Sequence, residues 1–270
     1  MLGLVRQIPA GGAVTSPVGQ PHETGQSSSG GLRGRWALVT GVNGPIGRQA
    51  ALALASRGAG VFLVYRRRVE EAERTRSQIL EMGGRAISLR GDVTLPEEVR
   101  RIAEEVKRAA GRLDILVNGV GDLLVKPAIE TSPEEWRHVI ASNLDSAFLM
   151  SMAVLPLMRE RGWGRIVNFG VAGCSDFRAF RQIPVYGMAK SALLAITRAL
   201  AREVAQWGIT VNLISPGFLE VGEFLIDPNR IPAKRFGSLD EVVAALLYLV
   251  SDEAAYVNGT EIIVSGGWNI

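Results

Sequence analysis

The sequence predicts an α/β fold, a single domain built on a doubly wound parallel sheet of about seven strands. Three observations support this prediction. From Trp36 onward, short runs rich in β-branched residues alternate with segments of helical periodicity. Several strand-like runs are apolar throughout, which indicates burial on both faces, as in a parallel sheet. Between residues 36 and 270 the sequence contains no internal repeat and no linker, so one domain accounts for this part of the chain.

The predicted elements follow one another in a regular order. The first half alternates strands 36–40, 60–65, 85–90 and 113–118 with helices 46–57, 69–82 and 96–110. A long helix begins after Thr131-Ser132-Pro133-Glu134, where Pro falls at the first helical turn. The alternation then continues with strands 164–169, 209–214 and 260–265, and with helices 185–207 and 239–251.

The composition argues against several classes of protein. The formal net charge is +3, from 30 basic and 27 acidic residues, which is too small an excess for a nucleic-acid-binding surface. No uninterrupted apolar run approaches the roughly 18 residues of a membrane span, so we expect a soluble protein without a membrane partner. The single cysteine, Cys174, cannot form an internal disulfide and suits the reducing cytoplasm. With only His22 and His138 available, we expect no metal site.

Residues 1–33 differ in composition from the rest of the chain. They are rich in Gly, Ser and Pro and show no hydrophobic period, so we predict a disordered extension ahead of a folded domain over 34–270. A secretory signal would need a basic start and an apolar block, and neither is present. A transit peptide, a dispensable extension and a misassigned start all stay open as explanations of this segment.

A glycine-rich turn connects the first predicted strand to the helix that follows it. Its sequence is Thr40-Gly41-Val42-Asn43-Gly44-Pro45-Ile46-Gly47. Glycines allow the backbone to approach a pyrophosphate closely, and the helix N-terminus supplies free amides and the positive end of a dipole. Because this is the first strand-to-helix turn of the domain, it predicts a dinucleotide cofactor rather than glycine packing alone. The contacts expected in the turn are Gly41, Asn43, Ile46 and Gly47.

The end of the second strand indicates which dinucleotide binds. An acidic residue there would accept hydrogen bonds from the ribose of NAD, but this chain has Tyr65 followed by Arg66-Arg67-Arg68. A guanidinium can bind a 2′-phosphate through charge-assisted hydrogen bonds, so NADP(H) is favoured, with Arg66 as the main contact. A solvated basic helix start is the alternative. Asp92, which precedes Val93 after the third strand, is placed to receive the adenine amino group.

Tyr186 and Lys190 lie four residues apart near the start of the helix predicted over 185–207. This spacing places both side chains on one helical face. A tyrosine with a pKa near 10 is a poor proton donor and acceptor at neutral pH, and a nearby ammonium lowers that pKa by stabilising the phenolate. The pair therefore predicts general acid–base catalysis by Tyr186.

These motifs together resemble those of the short-chain dehydrogenase/reductase family, over about residues 35–270. Within the family the chain is most similar to 3-oxoacyl-acyl-carrier-protein reductases, with some likeness to pteridine reductases. Besides the motifs above, the resemblance depends on Leu116-Val117-Asn118-Gly119-Val120-Gly121, Asn143, Val211-Asn212, Pro216-Gly217, Tyr256-Val257-Asn258-Gly259 and Ser265-Gly266-Gly267. The resemblance implies a Rossmann fold and an NADP-dependent oxidoreductase.

The resemblance also implies a role for each of these residues. Tyr186 would protonate the substrate, while Lys190 lowers the tyrosine pKa and holds the nicotinamide ribose. Asn143 would position a water that links Lys190 to solvent. The family is usually homotetrameric, packed through its long helices, here predicted near 133–160 and 185–207. The further residues that would lie along the cofactor are Asn118, Gly119, Pro216, Gly217 and Leu219.

One departure from the family concerns the catalytic machinery. The family's catalytic serine would fall at Val171, and Gly170-Val171-Ala172-Gly173 carries no hydroxyl. The loop from Val171 to Tyr186 is also longer than usual in the family. If nothing replaces the serine, loss of one oxyanion-type donor would slow turnover by roughly 10²–10³. Three residues are candidates to fold back into its place, with Ser175 the first choice before Asp176 and Cys174.

The segment after Pro216-Gly217, which forms the substrate lid in the family, is short in this chain. It carries Phe218, Phe224 and Leu225, with Phe177 and Phe180 opposite, and these favour a partly apolar substrate; ordinary loop packing is the alternative. We predict a reductase of a C=O group, of ketone or 3-oxoacyl type. A pteridine or other C=N reductase of the same fold is the alternative. A weakly catalytic NADPH-binding sensor or assembly protein is the second alternative.

Overall fold

A seven-stranded parallel sheet forms the centre of the computed structural model, which describes residues 31–176, 178–221 and 226–270. The strand order is β3-β2-β1-β4-β5-β6-β7, and every neighbouring pair is parallel. The fold class predicted from the alternating pattern is therefore confirmed. The strands are β1 (Trp36–Thr40), β2 (Gly60–Tyr65), β3 (Arg85–Arg90), β4 (Ile115–Asn118), β5 (Gly164–Phe169), β6 (Ile209–Pro216) and β7 (Glu261–Val264).

The described part of the chain contains seven α-helices, and six of them cover the two faces of this sheet. Helices α1, α2 and α7 pack on one face, and α3, α5 and α6 pack on the other. The helices are α1 (Pro45–Ser56), α2 (Val69–Glu81), α3 (Pro96–Ala110), α4 (Pro133–Ile140), α5 (Ser146–Arg159), α6 (Pro184–Val204) and α7 (Leu239–Leu249).

Strand β1 shows why the central strands are apolar at every position. Successive side chains of a strand point to opposite faces of the sheet. Ala37 and Val39 accordingly lie in the core under α1 and α7, whereas Leu38 lies in the core under α3 and α5. All three side chains are fully buried. A polar residue at any of these positions would face one of the two cores.

The long helix predicted after Ser132 is interrupted once. Ser132 and Glu135 form a reciprocal capping box at its start, as the start signal predicts. Between α4 and α5 the backbone forms one π-helical turn, Ala141–Asp145. The whole element, Pro133–Arg159, is apolar and long enough to cross a membrane by those two criteria alone. Here it packs on the sheet and against α3 and α6.

Helix α6 ends earlier than the predicted residue 207. After Val204 the chain makes a 3-10 turn, Ala205–Trp207, and then reaches Gly208 at φ 69°. This left-handed conformation favours glycine, and a Cβ at Gly208 would also collide with the Gly162 carbonyl oxygen. The α-helix therefore gives way to a tighter turn before β6 begins.

The predicted extension falls almost entirely outside the described residues, which begin at residue 31. Its disorder stays a prediction. Leu32 is buried, and its N–H donates to the Arg57 carbonyl at 2.7 Å. The packed part of the chain thus includes Leu32, slightly ahead of the predicted domain start at residue 34.

Candidate active site

Two cavities adjoin at the carboxyl edge of the sheet, where β1, β4, β5 and β6 all end. The larger has a volume of about 940 Å³ and the smaller about 270 Å³. The backbone segment 119–121, which follows β4, lines both. Since ligands of open α/β sheets bind at this edge, the two cavities form one groove for an extended molecule.

The glycine-rich turn lies at the junction of the two cavities. Gly41 has φ 69°, and a Cβ there would lie 2.7 Å from the Gly119 carbonyl oxygen. Gly47 is buried, and a Cβ there would collide with the Gly41 carbonyl oxygen, so the position requires glycine. Gly41 and Asn43 line the smaller cavity, and Ile46 lines the larger. Gly47 thus shapes the turn from beneath rather than lining either cavity.

The smaller cavity collects the residues predicted to bind the adenosine end of the cofactor. Arg66 Nη1 lies 3.3 Å from Asp92 Oδ2, and Asp92 Oδ1 accepts hydrogen bonds from the N–H and hydroxyl of Thr94. Burial opposes ionisation of Asp92, but the bonds from Thr94 and Arg66 together lower its pKa below the usual value. The other predicted residues that line this cavity are Tyr65 and Val93, with Arg67 and Arg68 beside them.

Tyr186 and Lys190 both line the larger cavity from the first turns of α6. Lys190 Nζ lies 5.4 Å from the centroid of the Tyr186 ring and donates to the Phe169 carbonyl at 2.7 Å. Burial lowers the pKa of Lys190 to about 8. Burial also raises the pKa of Tyr186 above its usual value, so the lowering expected from the lysine is not present in this structure.

Asn143 lies in the π-helical turn, next to Lys190. Its Nδ2 donates to the carbonyl oxygens of Asp122 and Val139 at 2.9 and 3.0 Å. Its buried Oδ1 has no hydrogen-bond partner among the described residues. A Cβ at Gly121 would lie 2.6 Å from this oxygen and 3.0 Å from Lys190 Nζ. The two polar groups therefore face one small space above Gly121, suited to a bridging polar atom.

The structure does not bring Ser175 into the cavity, which corrects its assignment as a catalytic residue. The 3-10 turn Cys174–Asp176 directs its hydroxyl to Asp176 Oδ1, at 3.4 Å. Cys174 is buried and Asp176 pairs with Arg178, so neither replaces the missing serine. Val171 lines the cavity at the predicted serine position. Among the described residues that line the larger cavity, Tyr186 carries the only hydroxyl group.

Asn118 is also turned away from both cavities. Its Nδ2 donates to Asn168 Oδ1 at 2.8 Å, inside the sheet. The remaining residues predicted to lie along the cofactor do line the larger cavity: Gly119, Pro216, Gly217 and Leu219. Of the predicted apolar lid residues, Phe180 and Phe218 line it too, while Phe177, Phe224 and Leu225 lie outside the described residues.

Sequence reasoning missed a mostly polar group of residues that lines the larger cavity. Its members come from three separate segments, so no spacing in the sequence connects them. The one available signal was the unusual length of the loop between Val171 and Tyr186. These residues are Arg178, Arg181, Gln182, Arg230, Trp268 and Asn269.

Comparisons with known proteins agree with this geometry. The family model described as Enoyl-(Acyl carrier protein) reductase matches residues 41–269. The chain is 37% identical to the 3-oxoacyl-acyl-carrier-protein reductase FabG of Escherichia coli, over 87% of this chain and 98% of that protein.

Two solved structures extend the similarity to the fold. A short-chain type dehydrogenase/reductase from Mycobacterium marinum is 31% identical, with a TM-score of 0.82, over 88% of this chain and 96% of that one. A gluconate 5-dehydrogenase from Burkholderia cenocepacia, in complex with NADP and tartrate, is 31% identical, with a TM-score of 0.81 and the same coverage. With its glycine-rich turn, its Tyr186/Lys190 pair and its seven-stranded Rossmann sheet, the chain belongs to the short-chain dehydrogenase/reductase family of oxidoreductases.

Proposed function

We propose that this oxidoreductase uses NADPH to reduce the C=O group of a small substrate. The observation that supports this most directly is the shared cavity: Tyr186 and Lys190 line it together with Gly119 and Pro216, at the carboxyl edge of the sheet. When bound, NADPH supplies the hydride. The chain supplies the proton and holds both reactants.

The state of Tyr186 suits the reductive direction. Its raised pKa keeps the phenol protonated at neutral pH, so its hydroxyl donates a hydrogen bond to the carbonyl oxygen and then the proton. Lys190, fixed by the Phe169 carbonyl, provides the positive charge that stabilises the phenolate left behind. Asn143 Oδ1, which has no partner among the described residues, lies next to Lys190 and can accept a hydrogen bond from a water that returns the proton.

The residues present fit NADP(H) at the adenosine end as well. Arg66, Arg67 and Arg68 line the smaller cavity, and no acidic residue follows Tyr65 where NAD-binding sheets carry one. The gluconate 5-dehydrogenase whose solved structure is similar to this fold contains bound NADP. Arg66 would hold the 2′-phosphate, and its pairing with Asp92 keeps the guanidinium at the cavity wall.

The decisive experiment follows NADPH absorbance while purified protein is offered simple ketones, a 3-oxoacyl thioester and a dihydropteridine. We expect oxidation with a ketone or thioester, and its loss in Tyr186→Phe with nearly unchanged NADPH affinity. Turnover with dihydropteridines alone would make the protein a C=N reductase. Tight NADPH binding without turnover of any compound would instead favour the sensor. A Tyr186→Phe variant that keeps full activity would refute the proton donor.

We further propose a homotetramer that acts in the cytoplasm. Exposed apolar side chains on the long helix, Trp136 at 47% and Phe148 at 40%, support packing between copies. Light scattering on the purified protein should give four times the chain mass, and a monomer would contradict the assembly. Fractionation of cells expressing the full chain should place it with cytoplasmic markers.

A further inference from the structure

The larger cavity carries positive charge on residues that the proposed hydride transfer does not use. Three arginines line this cavity together with Tyr186: Arg178, Arg181 and Arg230. No Asp or Glu is found among the described residues that line it. A cleft lined by one sign of charge attracts ligands of the opposite sign.

The loop that carries the first two arginines is anchored by Phe180, one of the two residues between them. Phe180 is buried and packs on Gly187, directly after Tyr186, where a Cβ would collide with its ring. Arg178 and Arg181, on either side of Phe180, are exposed and line the cavity. The loop is therefore anchored on the first turn of α6, and its two arginines line the same cavity as Tyr186.

Arg230 reaches the cavity from a separate segment. It ends the 3-10 turn Pro228–Arg230, and the next residue, Ile231, is 1% exposed and ties this turn to the body of the domain. Phe218 and Trp268, in edge-to-face contact at 5.1 Å, also line the cavity. The cavity thus combines aromatic walls with guanidinium groups from two segments.

The three guanidinium groups differ in their pairing. Arg178 is neutralised, since it contacts Asp176 and Asn269 at 2.7 Å each. Neither Arg181 nor Arg230 has a side-chain hydrogen bond or salt bridge to any residue in the part of the chain that the structure describes. Among the described residues, therefore, no side chain competes with an anion for these two guanidinium groups, and a carboxylate matches their planar donor geometry.

We propose that the substrate is a carbonyl compound bearing a carboxylate, which Arg181 and Arg230 bind while Tyr186 meets the carbonyl oxygen. This inference rests on the proposed reductase activity and specifies its substrate class. Anchoring a remote anion orients the carbonyl in a site where Val171 offers no hydroxyl. The electrons still come from NADPH and the proton from Tyr186.

The test compares keto acids with their uncharged methyl esters: pyruvate, acetoacetate and levulinate, each against its ester. We expect kcat/KM for at least one acid to exceed that of its ester by about tenfold or more. Arg181→Ala and Arg230→Ala should each reduce kcat/KM for that acid by roughly 10- to 100-fold and leave the ester nearly unchanged. Arg161→Ala removes the same charge from an exposed turn outside the cavity and should change neither.

Calorimetric titration of the same acids into the complex with NADP⁺ gives a second readout that needs no turnover. Weaker carboxylate binding in Arg181→Ala and Arg230→Ala, with unchanged NADPH affinity, supports the inference. Equal rates for acids and esters in the unmodified enzyme would overturn it and leave the reductase activity standing. A matching loss of NADPH affinity would overturn it too, because the arginines would then serve the cofactor. If no compound oxidises NADPH, the proposed activity fails, while calorimetry still decides whether the arginines bind carboxylates.

Discussion

Asn143 Oδ1 and Lys190 Nζ face the same small space, and both lie within 3.0 Å of the position that a Cβ at Gly121 would occupy. A buried acceptor without a described partner therefore lies next to a buried ammonium. This arrangement exists because a π-helical turn carries Asn143 toward the end of β4, where Gly121 leaves room. We propose that proton return from solvent to Tyr186 passes through this space.

Gly121→Ala should fill that space. The added methyl displaces Lys190 or Asn143 by a fraction of an ångström, and misplacement on the order of 1 Å can lower a rate by about 10²-fold. We expect kcat to fall roughly 10- to 100-fold while circular dichroism and the melting temperature stay close to those of the unmodified protein. Unchanged kcat would show that the space has no part in proton transfer.

The pH dependence of activity should follow Lys190. Burial lowers its pKa to about 8, so the ammonium is present below that pH and is lost as the pH rises through it. We therefore expect kcat/KM for reduction to decline above about pH 8, since kcat/KM reports the free enzyme. The Lys190→Arg variant stays positively charged above about pH 8. Its residual activity should therefore show no decline in kcat/KM as the pH rises. The same decline in that variant would assign the titration to another group.

Arg66→Ala should change cofactor choice more than catalysis. It removes the guanidinium expected on the 2′-phosphate, and one charge-assisted contact contributes roughly 10- to 100-fold in affinity. We expect that loss for NADPH and little change for NADH, measured by titration of the protein's fluorescence. Similar small effects on both cofactors would contradict the 2′-phosphate contact.

Val171→Ser should accelerate turnover. The position lines the larger cavity, and a hydroxyl there adds the donor that the family uses; such donors contribute about 10²–10³ in rate at full effect. We expect a gain of about tenfold or more in kcat with a ketone substrate. Val171→Ala, which shortens the side chain without adding a donor, should give no such gain. Equal changes in kcat for the two substitutions would show that the smaller side chain, and not a new hydrogen bond, causes the effect.

The sequence was most informative where one local pattern determines the structure. The alternation of strand-like and helical segments identified all seven strands. The Gly41–Gly47 turn and the Tyr186/Lys190 spacing identified residues that line the two cavities. The Ser175 assignment failed because it assumed that a longer loop folds back toward the missing hydroxyl, whereas the loop makes a 3-10 turn that directs Ser175 to Asp176.

Other features depend on contacts between distant parts of the chain. The π-helical turn at Asn143 leaves no periodicity signal, since its residues continue the helical pattern on both sides. Arg181 and Arg230 line one cavity only because the fold brings two separate loops to it. The pKa of Lys190 depends on how completely the fold buries it, which the four-residue spacing to Tyr186 does not determine.

The two-sided core of β1 has a consequence for how the reaction is aligned. The glycine-rich turn starts a helix on one face of the sheet, and the proton donor is carried by a helix on the other. A cofactor bound across the groove must therefore span two layers whose relative position is fixed by the strands between them. The strands between these two layers therefore set the distance over which hydride and proton meet.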